Sequence, residues 1–106
     1  MSRLREADFL IEHAQAIVTG AGTLRDSVAA ALNGTIVYLG PAAELPSHIT
    51  RRTGAMRIDA SGCSILPAAS PLAVGASLDV LIIKGDPGDT SEVRMEIARG
   101  KIVRWA

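Results

Sequence analysis

The chain predicts an all-β fold, a small β-sandwich or open barrel of about eight short strands. Its apolar residues fall in short runs, broken at close intervals by glycine, proline or an Asn-Gly pair. Composition agrees: 48% of the residues are hydrophobic but only 3% aromatic, so Val, Ile, Leu and Ala must build the core, and the β-branched share of that set suits strands. Residues 92–98 alternate cleanly, with Val93, Met95 and Ile97 on one face and Glu92, Arg94 and Glu96 on the other.

Residues 8–12 and 16–19 read as the first two strands, and Gly20-Ala-Gly22 as the loop that breaks the pattern. Residues 27–32 carry a run of alanines that favours helix by propensity. Asn33-Gly34 follows directly, then the apolar run 35–39. Asn-Gly between apolar runs is a strong hairpin signal, because both turn positions need φ > 0, so residues 27–39 are expected to form a hairpin. Pro41 at the first helical position predicts one short helix over 41–45 that Pro46 soon ends. Residues 57–59 and 64–66 are brief strands around a Ser61-Gly62 turn. Residues 78–84 are apolar on both faces, as in a central strand covered on each side. Residues 86–89 form a loop, and Arg99-Gly100 turns strand 92–98 into strand 101–105.

A chain of 106 residues is one domain and buries roughly two-thirds of its unfolded surface without staples. Net charge is +0, from 11 basic and 11 acidic residues, so nothing directs the chain to nucleic acid or an acidic membrane. Cys63 is the sole cysteine, so no internal disulfide or Cys-rich zinc site forms, which fits a reducing cytoplasm. No apolar leader is expected at the N-terminus, and the apolar runs are too short to span a bilayer.

Each chemically capable residue has a plain structural role to fill. His13 at a strand end and His48 in a loop are too few for a His-rich metal site, and surface or capping roles suit them better. Cys63 beside Ser64 has no His-Asp pattern near it and is expected to be a buried structural thiol. A carboxylate at Asp79 is placed to accept backbone N–H groups from a turn. Asp86 and Asp89 resemble a loose cation loop without EF-hand spacing. Gly20-Ala-Gly22 lacks the third glycine and the helix of a dinucleotide fingerprint. Arg51-Arg52 with Arg57 nearby reads as solvated surface.

Two segments carry a family resemblance. Ile58-Asp-Ala-Ser-Gly62 with Ile65-Leu-Pro67 resembles the approach to the catalytic barrel of metal-dependent amidohydrolases, the urease, dihydroorotase and imidazolonepropionase superfamily. Gly75 with Leu78-Asp-Val-Leu-Ile82 resembles the exit from that barrel, except that a small residue usually stands in place of Leu78. The opening strand at Asp8, the hairpin from Asn33 to Gly40 and the final hairpin from Val93 to Val103 follow the family's order. The resemblance implies the composite β-sandwich domain of an amidohydrolase without its barrel: residues 1–67 match the segment before the barrel, 68–74 are a junction, and 75–106 match the segment after it. A (β/α)8 barrel needs roughly 250 residues, so none is present here. After Pro67 the chain reads Ala68-Ala-Ser-Pro71, with no His-x-His pair to bind the metal that activates a hydrolytic water. The family's catalytic residues therefore have no matching positions, and the resemblance supplies no catalytic, cofactor-binding or metal-binding residue.

Three functional classes stay open. The chain is a non-catalytic module for oligomerisation or protein interaction, associating with itself or with a separate barrel-containing chain. Alternatively it is an accessory subunit or remnant of a hydrolase acting on non-peptide carbon–nitrogen bonds. A third class is a small-ligand binder with a pocket between the sheets or at a dimer seam.

Overall fold

The computed structural model describes residues 4–87 and 93–105. It is all-β, 66% strand and 6% helix. The strands are β1 (Arg5–Ala14), β2 (Ala16–Thr19), β3 (Gly22–Leu24), β4 (Ser27–Leu32), β5 (Thr35–Pro41), β6 (Ile49–Asp59), β7 (Cys63–Pro67), β8 (Val80–Lys84), β9 (Val93–Ala98) and β10 (Lys101–Trp105). One sheet runs β5-β4-β1-β6 and the other β10-β9-β8-β7-β2-β3. The β1–β6 and β2–β7 pairs are parallel and the rest antiparallel.

The main core lies between the sheets. Phe9, Ile11, Ala29, Ala31 and Ile36 of the four-stranded sheet meet Ile17, Ile65, Val80, Ile82 and Ile97 of the six-stranded sheet. A second, smaller cluster holds Leu10, Val28, Ala30, Tyr38 and Ile49 on the outer face of the four-stranded sheet, with Leu45 packed against it. Leu45 belongs to a 3₁₀ helix, Ala42–Ser47. Strand β4 is thus covered on both faces, which explains its alanines: small side chains at 29, 30 and 31 let material pack closely above and below, and that packing overrides helix propensity. Ala7 lies in the outer cluster and Phe9 in the inner one, although residues two apart normally share a face. The break in the β1–β6 register between them accounts for the switch.

Asn33-Gly34 has φ of 52° and 83°, and Arg99-Gly100 has 51° and 73°. Both pairs are type I′ turns, the geometry that matches strand twist. A carboxylate holds each: Asp8 Oδ2 accepts the Asn33 N–H at 3.1 Å and Asp79 Oδ1 accepts the Arg99 N–H at 2.8 Å. Asp79 therefore has the turn-accepting role its position predicts. Leu78 joins the turns, donating its N–H to Gly34 O at 2.8 Å and accepting the Gly100 N–H at 3.1 Å.

Residues 68–74 connect β7 to the segment before β8 without leaving the domain. Ala68 N–H donates to Asp79 O at 3.0 Å, and Gly20 N–H donates to Leu72 O at 3.4 Å. Leu72 is 2% exposed and belongs to the main core. Gly75 N–H then donates to Ile36 O, and Ile36 N–H to Ala76 O, both at 2.8 Å.

Several boundaries differ from the sequence reading. There are ten strands among the described residues, because the Gly20-Ala-Gly22 loop leads straight into β3 and β6 begins at Ile49 rather than Arg57. Strand β6 is an edge strand with most side chains exposed, so it lacks the alternation that would mark it in the sequence. Its residues 52–55 face a single residue of β1, and Gly54 takes a φ of 82° within that bulge. Strand β8 starts at Val80, with Val80 and Ile82 facing the core and Ile83 buried on the opposite face. Pro41 ends β5, and the helix is a 3₁₀ turn that contains Pro46. Glu92, Gly88 and Asp89 lie outside the described residues.

Candidate interaction surface

Closing two sheets into a sandwich leaves strand edges, and here β6 borders one sheet and β10 the other. Along this flank the margin of the core reaches the surface. One groove of ≈ 570 Å³ is lined by Ile58, Cys63, Lys84, Met95 and Trp105, with Arg57 at its side. A second of ≈ 710 Å³ is lined by Phe9, Gly34, Met56, Lys101 and Ile102. Both lie between β6 and β10, so they form two stretches of one seam. Its floor is the margin of the main core: Ile58, Cys63, Met95 and Ile102 are half-buried and packed against that cluster. Its walls carry Met56 and Trp105, which are 48% and 67% exposed.

Strand β10 leaves Val103 and Trp105 exposed for a local reason. Ile102 pairs with Ile97 but Arg104 pairs with Glu96, so Val103 is an extra residue on the edge. Trp105 then falls beside Met95, across the groove from Ile58 of β6.

The acidic groups at the seam are already engaged. Glu12 receives Arg57 in a two-point pair, Nε to Oε1 at 2.7 Å and Nη2 to Oε2 at 3.2 Å. The hydrogen bond to Glu12, with its charge, pushes the Arg57 pKa further up. Asp59 Oδ1 accepts both the Ser61 hydroxyl and, at 3.0 Å, the Ser61 N–H. These bonds, the hydroxyl first, hold Asp59 below the ordinary aspartate range. Asp8 serves the Asn33 turn. Lys84, Arg99 and Lys101 line the seam with no side-chain carboxylate partner among the described residues.

The residues singled out in the sequence are scattered. His13 is exposed at φ 65° near the end of β1. His48 ends the 3₁₀ helix, its ring stacked on Tyr38 at 5.4 Å between centroids. Burial, and then the charge of Glu44, raise the Tyr38 pKa, and its hydroxyl donates to Pro41 O at 2.6 Å. Cys63 is half-buried rather than buried, because it opens β7 at the floor of the seam. Asp86 accepts from the Gln15 amide. Arg52 pairs with Glu6 at 3.1 Å on the surface. Among the described residues no three His, Cys, Asp or Glu side chains cluster to hold a metal ion, and no helix is long and apolar enough to cross a membrane. Sequence reasoning did not find Met56 or Trp105. The available signal was the chain's single Trp on a terminal hairpin strand, where an edge position leaves half the contacts unmade.

No family model and no curated protein matches the chain. Among solved structures, the fold is similar to an adenosine deaminase from Xanthomonas campestris with bound zinc, at 26% identity and a TM-score of 0.50. The match covers 61% of this chain and 15% of the deaminase chain. The order of segments in the sequence and this likeness agree, and the chain is an all-β module resembling part of the amidohydrolase superfamily.

Proposed function

We propose that the chain is a non-catalytic amidohydrolase-like module that works by association, with a second copy or with a separate barrel-containing chain. The observation that carries this reading is Trp105, the chain's only tryptophan, left 67% exposed beside Val103 on an edge strand. Tryptophan is the residue type most enriched at binding hot spots, and contiguous exposed apolar surface on a small domain marks an interaction site. The lone Cys63 suits a cytoplasmic setting.

A second reading, accessory subunit of a carbon–nitrogen hydrolase, draws support from the likeness to a zinc-bearing deaminase of which this chain spans a small part. Native mass spectrometry of the protein from its own cells separates the two. A homo-oligomer without metal supports the self-sufficient module. A mixed complex with a large metal-bearing chain supports the subunit. A monomer, with no change in sedimentation up to high concentration and no partner, overturns association altogether. Hydrolysis of cyclic amides by the purified chain with added zinc would overturn the non-catalytic reading.

A further inference from the structure

Both walls of the β6–β10 seam are strand edges, and each has one side of its backbone outside any ladder. An open strand edge pairs readily with an added extended segment, main-chain bonds giving affinity and side-chain pockets giving specificity. The two grooves lie one after the other along this edge, with apolar floors at Ile58, Met95 and Ile102. Such a series of pockets suits alternate side chains of an extended chain, which recur on one face at every second residue.

Charge selects among occupants. Among the residues lining the two grooves, Lys84 in one and Arg99 and Lys101 in the other are cations without a side-chain carboxylate partner among the described residues, Arg57 is paired with Glu12, and the lining carboxylates are Asp59 and Asp8. These three cations outnumber the two lining carboxylates, whereas the chain as a whole carries net charge +0. Both carboxylates are also committed to turn N–H groups or a serine hydroxyl. A second copy placed edge to edge would set Lys101 and the neighbouring cations against like charges, which costs binding energy.

We propose that the β6–β10 seam binds an extended acidic segment of another protein, with apolar side chains in the two grooves and carboxylates facing Lys84, Arg99 and Lys101. This rests on the association reading and names the partner's chemistry. Trp105 stands at one groove and reports on it, because no other tryptophan contributes fluorescence.

The test uses the intact chain and two short synthetic peptides, one alternating valine with glutamate and one alternating valine with lysine. The acidic peptide is expected to shift Trp105 emission saturably and to bind more weakly as salt rises. The lysine peptide is expected not to bind. Reversing charge with Lys84→Glu and Lys101→Glu together should weaken the acidic peptide on the order of tenfold, with the circular dichroism spectrum unchanged. The Trp105→Ala variant, followed by calorimetry, should also bind more weakly. Equal binding of both peptides, no binding of the acidic one, or a homodimer that buries Trp105 would overturn the proposal. Association with a partner that the acidic peptide fails to compete away would leave the association reading standing and remove this one.

Discussion

Gly34 and Arg99 touch across the two hairpin turns: a Cβ built on Gly34 would lie 2.4 Å from the Arg99 carbonyl oxygen. Gly34 also has a φ of 83°, so it meets both a conformational and a steric demand. Gly34→Ala is expected to destabilise the fold by about 3 kcal/mol, from left-handed strain plus overpacking against backbone that cannot swing away. Gly54 has nearly the same φ, 82°, but a Cβ added there would meet nothing within 4 Å. Gly54→Ala should therefore cost only the strain, about 1 kcal/mol. Urea denaturation of the two variants separates the contact from the dihedral.

Asp79, just before β8, ties that strand to the last hairpin through the Arg99 N–H at 2.8 Å. Asp79→Ala should cost about 1–2 kcal/mol by leaving that donor without its acceptor. Asp79→Asn retains an acceptor oxygen and should recover much of the loss. Thermal unfolding of both variants checks the order.

Leu72 fixes the junction into the core. Leu72→Ala is expected to cost about 2–4 kcal/mol, because a fully buried leucine leaves a cavity when truncated. Val74, exposed in the same segment, should tolerate Val74→Ala within about 0.5 kcal/mol. Equal effects of the two changes would show that Leu72 does not anchor the junction.

Asp59 gives a pH dependence of defined sign. Its folded pKa lies below the ordinary aspartate value, chiefly because the Ser61 hydroxyl donates to its charged form. Its stabilising contribution is thus complete above the unfolded pKa and disappears as pH falls through the folded one. Ser61→Ala should flatten this acid-side slope, with its loss of stability seen near neutral pH and vanishing at pH values below the folded pKa of Asp59. Denaturation midpoints across the acidic range for both proteins provide the measurement.

The hairpins were legible because their signals are local: Asn33-Gly34 and Arg99-Gly100 each fix a turn by the φ they require. Strand β4 was legible only through its turn, since the alanines at 29–31 answer to packing on both faces. Strand β6 could not be read from pattern, because an exposed edge strand paired to β1 owes its conformation to main-chain bonds that no side-chain periodicity records. The seam was hidden for a related reason. It arises where β6 and β10, distant in sequence, come to flank the same gap, and neither strand alone implies that geometry.

Strands β7 and β8 keep continuous pairing from Cys63 opposite Lys84 to Pro67 opposite Val80, so their alignment does not depend on what joins them. Residues 68–74 therefore act as a removable bridge: the two portions of the chain are held in place by their own ladder and by the Asp79 turn. Foreign sequence placed at the bridge is expected to leave this ladder intact and to lose chiefly the packing of Leu72.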